Sequence, residues 1–73
     1  MQQPQNSPEP GLYRHYKGGE YRVVGMVRHS ETEEWLVHYQ CMYGDLGFWV
    51  RPLAMFNDTV VVNGKEIKRF QRA

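Results

Sequence analysis

The chain has 73 residues, of which 41% are hydrophobic and 23% charged, and its formal net charge at pH 7 is +1. This composition is typical of one small globular domain, and it argues against a wholly disordered chain, a bilayer-spanning protein and a strongly basic nucleic-acid binder. A single cysteine cannot form an intramolecular disulfide, and no stretch has the pattern of a signal peptide. The sequence therefore indicates a reducing, cytoplasmic setting with no membrane role.

The first ten residues differ in composition from the rest of the chain. They are polar and contain three prolines, with no apolar anchor after Met1. Such a segment buries too little apolar surface to compensate for the entropy of ordering it. We therefore predict a disordered tail over residues 1–10 and a single domain over residues 11–73.

The first half of the domain has the pattern of β-strands joined by turns. Residues 11–17 alternate weakly and stop at a glycine pair, which predicts an extended edge segment followed by a turn. Residues 20–28 form a β-branched run around Gly25, where a bulge or sharp bend is expected. The polar residues 29–34 then predict an exposed hairpin loop.

The two strongest β-forming runs come next, at residues 35–42 and 48–51. A tight, glycine-containing connection over residues 43–47 favours their pairing as a hairpin. Pro52 has no N–H to donate and should end the second strand. Residues 52–56 are short and apolar, and they predict one helical turn that covers an end of the sheet.

The C-terminal region contains the clearest local signal in the chain. Asn63-Gly64 separates the β-branched run 59–62 from residues 65–70, which predicts a hairpin with a type I′ turn. With no amphipathic helix and no internal repeat, the pattern predicts an all-β fold. We expect a small SH3-like barrel of five or six short antiparallel strands with one short helical turn.

Several short motifs resemble a bacterial family of domains of unknown function, numbered 1653. They are HYKG at 15–18, HSET at 29–32, YQ at 39–40, YGD at 43–45, WVRPL at 49–53 and MF at 55–56. The resemblance covers residue 13 to about residue 72. It implies an SH3-like barrel in a small soluble protein, and it does not suggest any particular activity.

The candidate chemical groups do not form a recognisable reactive site. His38 and Cys41 are three residues apart in one predicted strand, so they point to opposite faces and cannot share a metal ion or act as a nucleophile pair. No phosphate loop, serine elbow or paired carboxylate site is present. We therefore expect no catalytic residue, no metal and no cofactor, and the protein is not expected to be an enzyme.

Aromatic and basic side chains near the predicted loops indicate a binding surface instead. Trp49 and Arg51 share one face of their strand, while Tyr16 and Tyr43 lie beside glycine turns. With His29, these residues form a hypothetical partner-binding patch. The favoured interpretation is a monomeric, non-enzymatic module that binds a peptide or protein partner.

A second interpretation remains open, namely binding of RNA or another single-stranded nucleic acid. Lys68, Arg69 and Arg72 would contact phosphates while exposed aromatic rings stack on bases. The low net charge favours the protein partner. The pattern leaves open which face of the strand at 35–42 is buried, and whether Trp49 belongs to the core or to the surface.

Overall fold

The fold consists of two antiparallel sheets and one helical turn, seen in a computed structural model that describes residues 3–73. The elements are β1 (Gly11–His15), β2 (Glu20–Arg28), β3 (Trp35–Cys41), β4 (Phe48–Pro52), α1 (Leu53–Phe56), β5 (Thr59–Val62), β6 (Lys65–Lys68) and β7 (Phe70–Arg72). The larger sheet has the order β4-β3-β2-β1-β7, and β5 and β6 form the smaller one. The all-β class with one helical turn is confirmed, with seven strands instead of five or six. Within residues 3–73 the larger sheet is open, because its end strands β4 and β7 do not pair with each other.

The first strand is not at the edge of the sheet, and that prediction was wrong. β1 lies between β2 and β7, and His15 pairs with Phe70. The predicted C-terminal strand is divided at Arg69, whose N–H donates to the Asp58 carbonyl while its own carbonyl accepts the Tyr16 N–H. At this residue the chain therefore leaves the smaller sheet and joins the larger one.

The bend predicted at Gly25 is confirmed as a register shift in the β2–β3 pairing. Val23 pairs with Tyr39, and the next pair along the ladder is Gly25 with His38. β2 has one residue more than β3 across this bulge. Beyond it, Met26 pairs with the buried Val37 and lies on the same face of the sheet.

The core lies on the β3 face that carries Val37 and Tyr39, both of which are buried. Leu53 and Phe56 of α1 cover this face, and the Phe56 ring stacks on Phe70 with centroids 4.4 Å apart. Leu36 on the other face is also buried but is not part of this core cluster, so the cluster shows which face of β3 packs against the core. The predicted helical turn is also confirmed, and it covers the sheet as expected.

The turn at Asn63-Gly64 has the predicted geometry. Both residues have positive φ, 53° and 77° respectively, and Val62 pairs with Lys65 across the turn. These values are those of a type I′ turn, in which both central residues are left-handed. The β5–β6 hairpin is confirmed in this register.

Residues 3–10 contact the folded domain at several points. The Asn57 side-chain amide donates to the Asn6 carbonyl at 2.8 Å, and the Tyr13 hydroxyl donates to the Glu9 carbonyl at 3.0 Å. Residues 1 and 2 of the predicted tail lie outside the described residues, and the domain boundary at residue 11 stays a prediction. Within residues 3–73, no helix is long and apolar enough to cross a membrane.

Candidate functional site

A shallow groove of about 310 Å³ opens at the end of the large sheet where β2 begins and β3 ends. Trp49 and Tyr43 are 58% and 52% exposed. Tyr39 is buried and lies on β3, between β2 and β4. We call this surface the aromatic groove; its lining residues are Tyr21, Tyr39, Cys41, Tyr43, Gly44, Asp45 and Trp49.

Strand register and hydrogen bonds hold the walls of the aromatic groove in place. Tyr39 pairs with Trp49 across β3 and β4, so these two side chains lie on the same face. The hydroxyl groups of Tyr21 and Tyr43 lie 2.7 Å apart and form a hydrogen bond. The β3–β4 loop is fixed by Asp45, whose Oδ1 accepts the Gly47 N–H at 3.1 Å. The groove is therefore largely formed before any partner arrives.

Two glycines leave room for the rings of the groove. A Cβ atom at Gly19 would lie 3.1 Å from the Tyr43 ring, and one at Gly47 would lie 3.3 Å from the Trp49 indole nitrogen. Contacts of this length are tighter than ordinary van der Waals packing, so a larger residue at either position would require its neighbour to shift by a few tenths of an ångström. Both glycines thus lie in close contact with the rings that line the groove.

Behind the groove, an aromatic cluster around Phe70 connects the surface with the core. The Tyr21 and His15 rings meet Phe70 edge-on, with centroid distances of 5.5 and 5.0 Å. The Arg51 guanidinium carbon lies 5.3 Å from the same Phe70 centroid. Arg51 therefore contacts a core ring as well as lying on the strand face of Trp49.

The electrostatic environment of this cluster shifts two titratable groups. Burial raises the pKa of Tyr21, and the hydrogen bond with Tyr43 raises it further, so the hydroxyl stays protonated at neutral pH. Burial lowers the pKa of His15, and the positive charges of Arg69 and Arg51 lower it further. At neutral pH this end of the sheet therefore presents neutral rings beside permanent cations.

The structure brings together only part of the predicted patch. Tyr43 and Trp49 line one groove, and Arg51 lies on the Trp49 face with its guanidinium over Phe70. Tyr16 packs beside His15, with ring centroids 4.7 Å apart, and lines a different concavity.

His29 lies at the opposite end of the sheet, in the β2–β3 loop. Its Nδ1 atom accepts the backbone N–H groups of Glu31 and Thr32, which is a role within that loop. The seven-residue step along β2 from Tyr21 to Arg28 corresponds to roughly 23 Å at 3.3 Å per residue. His29 is therefore separated from the aromatic groove.

A second concavity, of about 430 Å³, has a basic character. We call it the basic concavity; its lining residues are Arg14, His15, Tyr16, Gly18, Ile67, Lys68, Gln71, Arg72 and Ala73. Of the predicted phosphate-binding residues it contains Lys68 and Arg72, whereas Arg69 pairs with Asp58 at 3.6 Å. The nucleic-acid hypothesis thus maps to a surface distinct from the aromatic groove.

Tyr21, Tyr39, Cys41 and Asp45 line the groove but were not among the predicted site residues. The β2–β3 register places Tyr21 opposite Cys41, and because this register depends on the pairing of two separate strands, no local pattern in either strand predicts it. His38 lies on the other face, with its ring 5.6 Å from Phe48, so its separation from Cys41 is as expected. Within residues 3–73, no three His, Cys, Asp or Glu side chains cluster in a way that could hold a metal ion.

Comparison with known proteins supports the resemblance seen in the motifs. No curated protein matches the chain. A crystal structure of a DUF1653 protein from Bordetella bronchiseptica is 37% identical, with a TM-score of 0.82, and the match covers 90% of this chain and 87% of that one. The family model described as "Protein of unknown function (DUF1653)" matches residues 11–72. The chain therefore belongs to the DUF1653 family.

Proposed function

We propose that this domain is a non-enzymatic binding module that recognises a segment of a protein partner in the aromatic groove. The observation that carries the proposal is the exposure of Trp49 and Tyr43 on either side of one groove, in a domain with few large side chains to spare for its core. Exposed aromatic residues are enriched in protein recognition sites because they give a large rigid contact area at low entropic cost.

The groove is better suited to binding than to catalysis. Its hydroxyl groups from Tyr21 and Tyr43 are bonded to each other, and Asp45 is occupied by the backbone of its own turn. Cys41 has His38 on the opposite face of β3, so no base activates its thiol from that position. The rings therefore supply the main contact, and the hydroxyl proton that the Tyr21–Tyr43 bond does not use can be donated to a partner.

The proposal is tested by selecting peptides that bind the full chain and measuring their affinity for Trp49→Ala. Removal of an exposed aromatic anchor should weaken binding by about 10-fold or more, with the thermal midpoint nearly unchanged. Val61→Ala is the matched control, because Val61 is also exposed but lies on the separate β5–β6 hairpin. Equal affinity of the parent and Trp49→Ala for every selected ligand would contradict the assignment of the groove.

Nucleic-acid binding is a second candidate because Tyr16 lies with Arg14, Lys68 and Arg72 in the basic concavity. A ring beside several cations is the arrangement used for single strands. Binding of a short RNA that declines steeply with salt and is weakened by Lys68→Ala would support this function. A shallow salt dependence, together with sensitivity to Trp49→Ala, would favour the protein segment.

A further inference from the structure

Exposed apolar side chains are concentrated in one stretch of the chain. Within residues 3–73, seven of the twelve exposed large hydrophobic residues lie in the segment 42–55, which contains β4 and its flanking turns. Phe48, Trp49 and Val50 follow one another in β4 and are each more than half exposed. Concentrated apolar exposure of this kind marks an interaction surface.

The strand that carries these residues is a sheet edge that Pro52 protects at its last position but not over Phe48–Val50. Among residues 3–73, β4 has β3 on one side and no strand on the other. The opposite edge strand, β7, is only three residues long, and the ion pair of Arg72 with Glu9 lies beside it. Short length and nearby charge are common protections of an edge, and β4 has neither over Phe48–Val50.

The direction of the β4 backbone groups follows from one hydrogen bond at its start. The Cys41 N–H donates to the Gly47 carbonyl at 2.9 Å, immediately before β4. Along an antiparallel strand, the backbone N–H and C=O groups of successive residues point alternately to its two sides. The backbone groups of Trp49 and Arg51 therefore point to β3, and those of Phe48, Val50 and Pro52 point to the open side. Pro52 fits this pattern, since its missing N–H falls on the open side.

We propose that a second copy of this chain pairs with this edge, β4 against β4 in antiparallel orientation, with Val50 on the two-fold axis. In this register Val50 exchanges both backbone hydrogen bonds with its copy, and the Phe48 N–H donates to the Pro52 carbonyl of the other chain. The pairing supplies four inter-chain hydrogen bonds and leaves the Phe48 carbonyl of each chain without a donor from Pro52, which has no N–H.

The side chains of β4 are complementary to themselves in the same register. Trp49 lies opposite Arg51 of the second copy in a non-hydrogen-bonded pair, where cross-strand side chains approach most closely and a guanidinium can contact an indole. Phe48 lies opposite Pro52 of the second copy on the other face. The two arginines are diagonal neighbours, about 7 to 8 Å apart at their Cα atoms, so physiological salt weakens their repulsion.

Such a dimer replaces the sequence-based expectation of a monomer and does not depend on the proposed function. It would also place Arg51 of the second copy beside Trp49, at the rim of the aromatic groove. Each groove would then contain a cation from the other chain, which suits a partner segment that carries an acidic residue.

The first test is the mass of the full chain by sedimentation equilibrium over a wide concentration range. The parent should pass from monomer to dimer as its concentration rises. Val50→Lys should stay monomeric, because it places two lysines on the axis, and its thermal midpoint should equal that of the parent at concentrations where the parent is monomeric. Val61→Lys, on an exposed strand of the other sheet, should dimerise as the parent does. A monomeric parent at every concentration would overturn the proposal and leave the edge to a strand of another protein.

The register is tested by oxidation in a Cys41→Ala background. Val50→Cys should form a disulfide-linked dimer, because hydrogen-bonded partners have Cα atoms about 5.5 Å apart, within the disulfide range. Phe48→Cys should crosslink far more slowly, since the two Phe48 positions are offset by four residues, about 13 Å. Equal crosslinking of the two variants, or a dimer that Val50→Lys does not weaken, would overturn the proposed pairing.

Discussion

The Asn63-Gly64 turn allows the backbone cost of one conformation to be measured apart from steric clashes. Gly64 has φ of +77°, and a Cβ atom added there would meet nothing within 4 Å. Because the added Cβ atom is unobstructed, we expect the loss of stability in Gly64→Val to come mainly from forcing a β-branched residue into the left-handed region. That region costs an L-residue roughly 1 to 2 kcal/mol.

Gly25 is a matched control for the same substitution. It also has open space around an added Cβ atom, but its φ lies outside the left-handed region. Gly25→Val should be neutral or stabilising, because a β-branched residue suits a strand and glycine in a strand costs roughly 0.5 to 1 kcal/mol. The two variants should therefore differ by at least about 1 kcal/mol in their free energies of unfolding.

The difference is measured by urea unfolding and by thermal unfolding followed by circular dichroism. For a domain of this size, about 1 kcal/mol corresponds to a shift of roughly 4 to 8 °C in Tm, with Gly64→Val the less stable variant. Gly64→Val must keep the urea m-value of the parent for the comparison to report stability alone. If Gly64→Val and Gly25→Val unfold at the same midpoint, the type I′ geometry and the β5–β6 register would both be refuted.

Three further outcomes are expected. The pKa of His15 is lowered from its ordinary value of 6.5, first by burial and then by Arg69 and Arg51, so the unfolded chain takes up the proton before the folded chain does. The free energy of unfolding should therefore fall as pH drops through about 6.5. Denaturant titrations should show that the stability of His15→Gln depends less steeply on pH. Phe70→Ala should cost about 3 to 5 kcal/mol, because the ring stacks on Phe56 in the core, and calorimetry should show a strongly reduced or absent unfolding peak. Deleting residues 1–10 should leave the calorimetric Tm nearly unchanged, because the hydrogen bonds from residues 3–10 to the domain are partly exposed. A loss of several degrees would instead assign residues 3–10 to the domain.

Local signals predicted most of the strands and both special backbone features. The β-branched runs, the bulge at Gly25 and the turn at Asn63-Gly64 depend on neighbouring residues, so they can be read from short stretches of sequence. The partner of β1 cannot be read in this way. Its pairing with β7 joins residues more than fifty positions apart, and the pattern at 65–70 does not reveal that Arg69 divides the run between two sheets.

The candidate site was predicted in part for the same reason. Tyr43 and Trp49 lie together as expected because one short hairpin contains both, and their role in binding stays a prediction. Tyr21 was missed because its place beside Tyr43 depends on the β2–β3 register, and His29 was grouped with them because composition does not reveal the end of the sheet at which a loop emerges. Chain proximity was therefore a good guide only within one hairpin.

The two proposed surfaces share a strand, yet they can be tested separately because side chains alternate along it. Trp49 faces the aromatic groove with Tyr39, whereas Val50 pairs with His38 and points to the other face. Val50→Lys therefore removes the dimer edge while leaving the groove walls in place. If this variant keeps the parent's affinity for a selected peptide, the groove binds without the second copy. If it loses affinity while Trp49→Ala still dimerises, Arg51 of the second copy is part of the binding site.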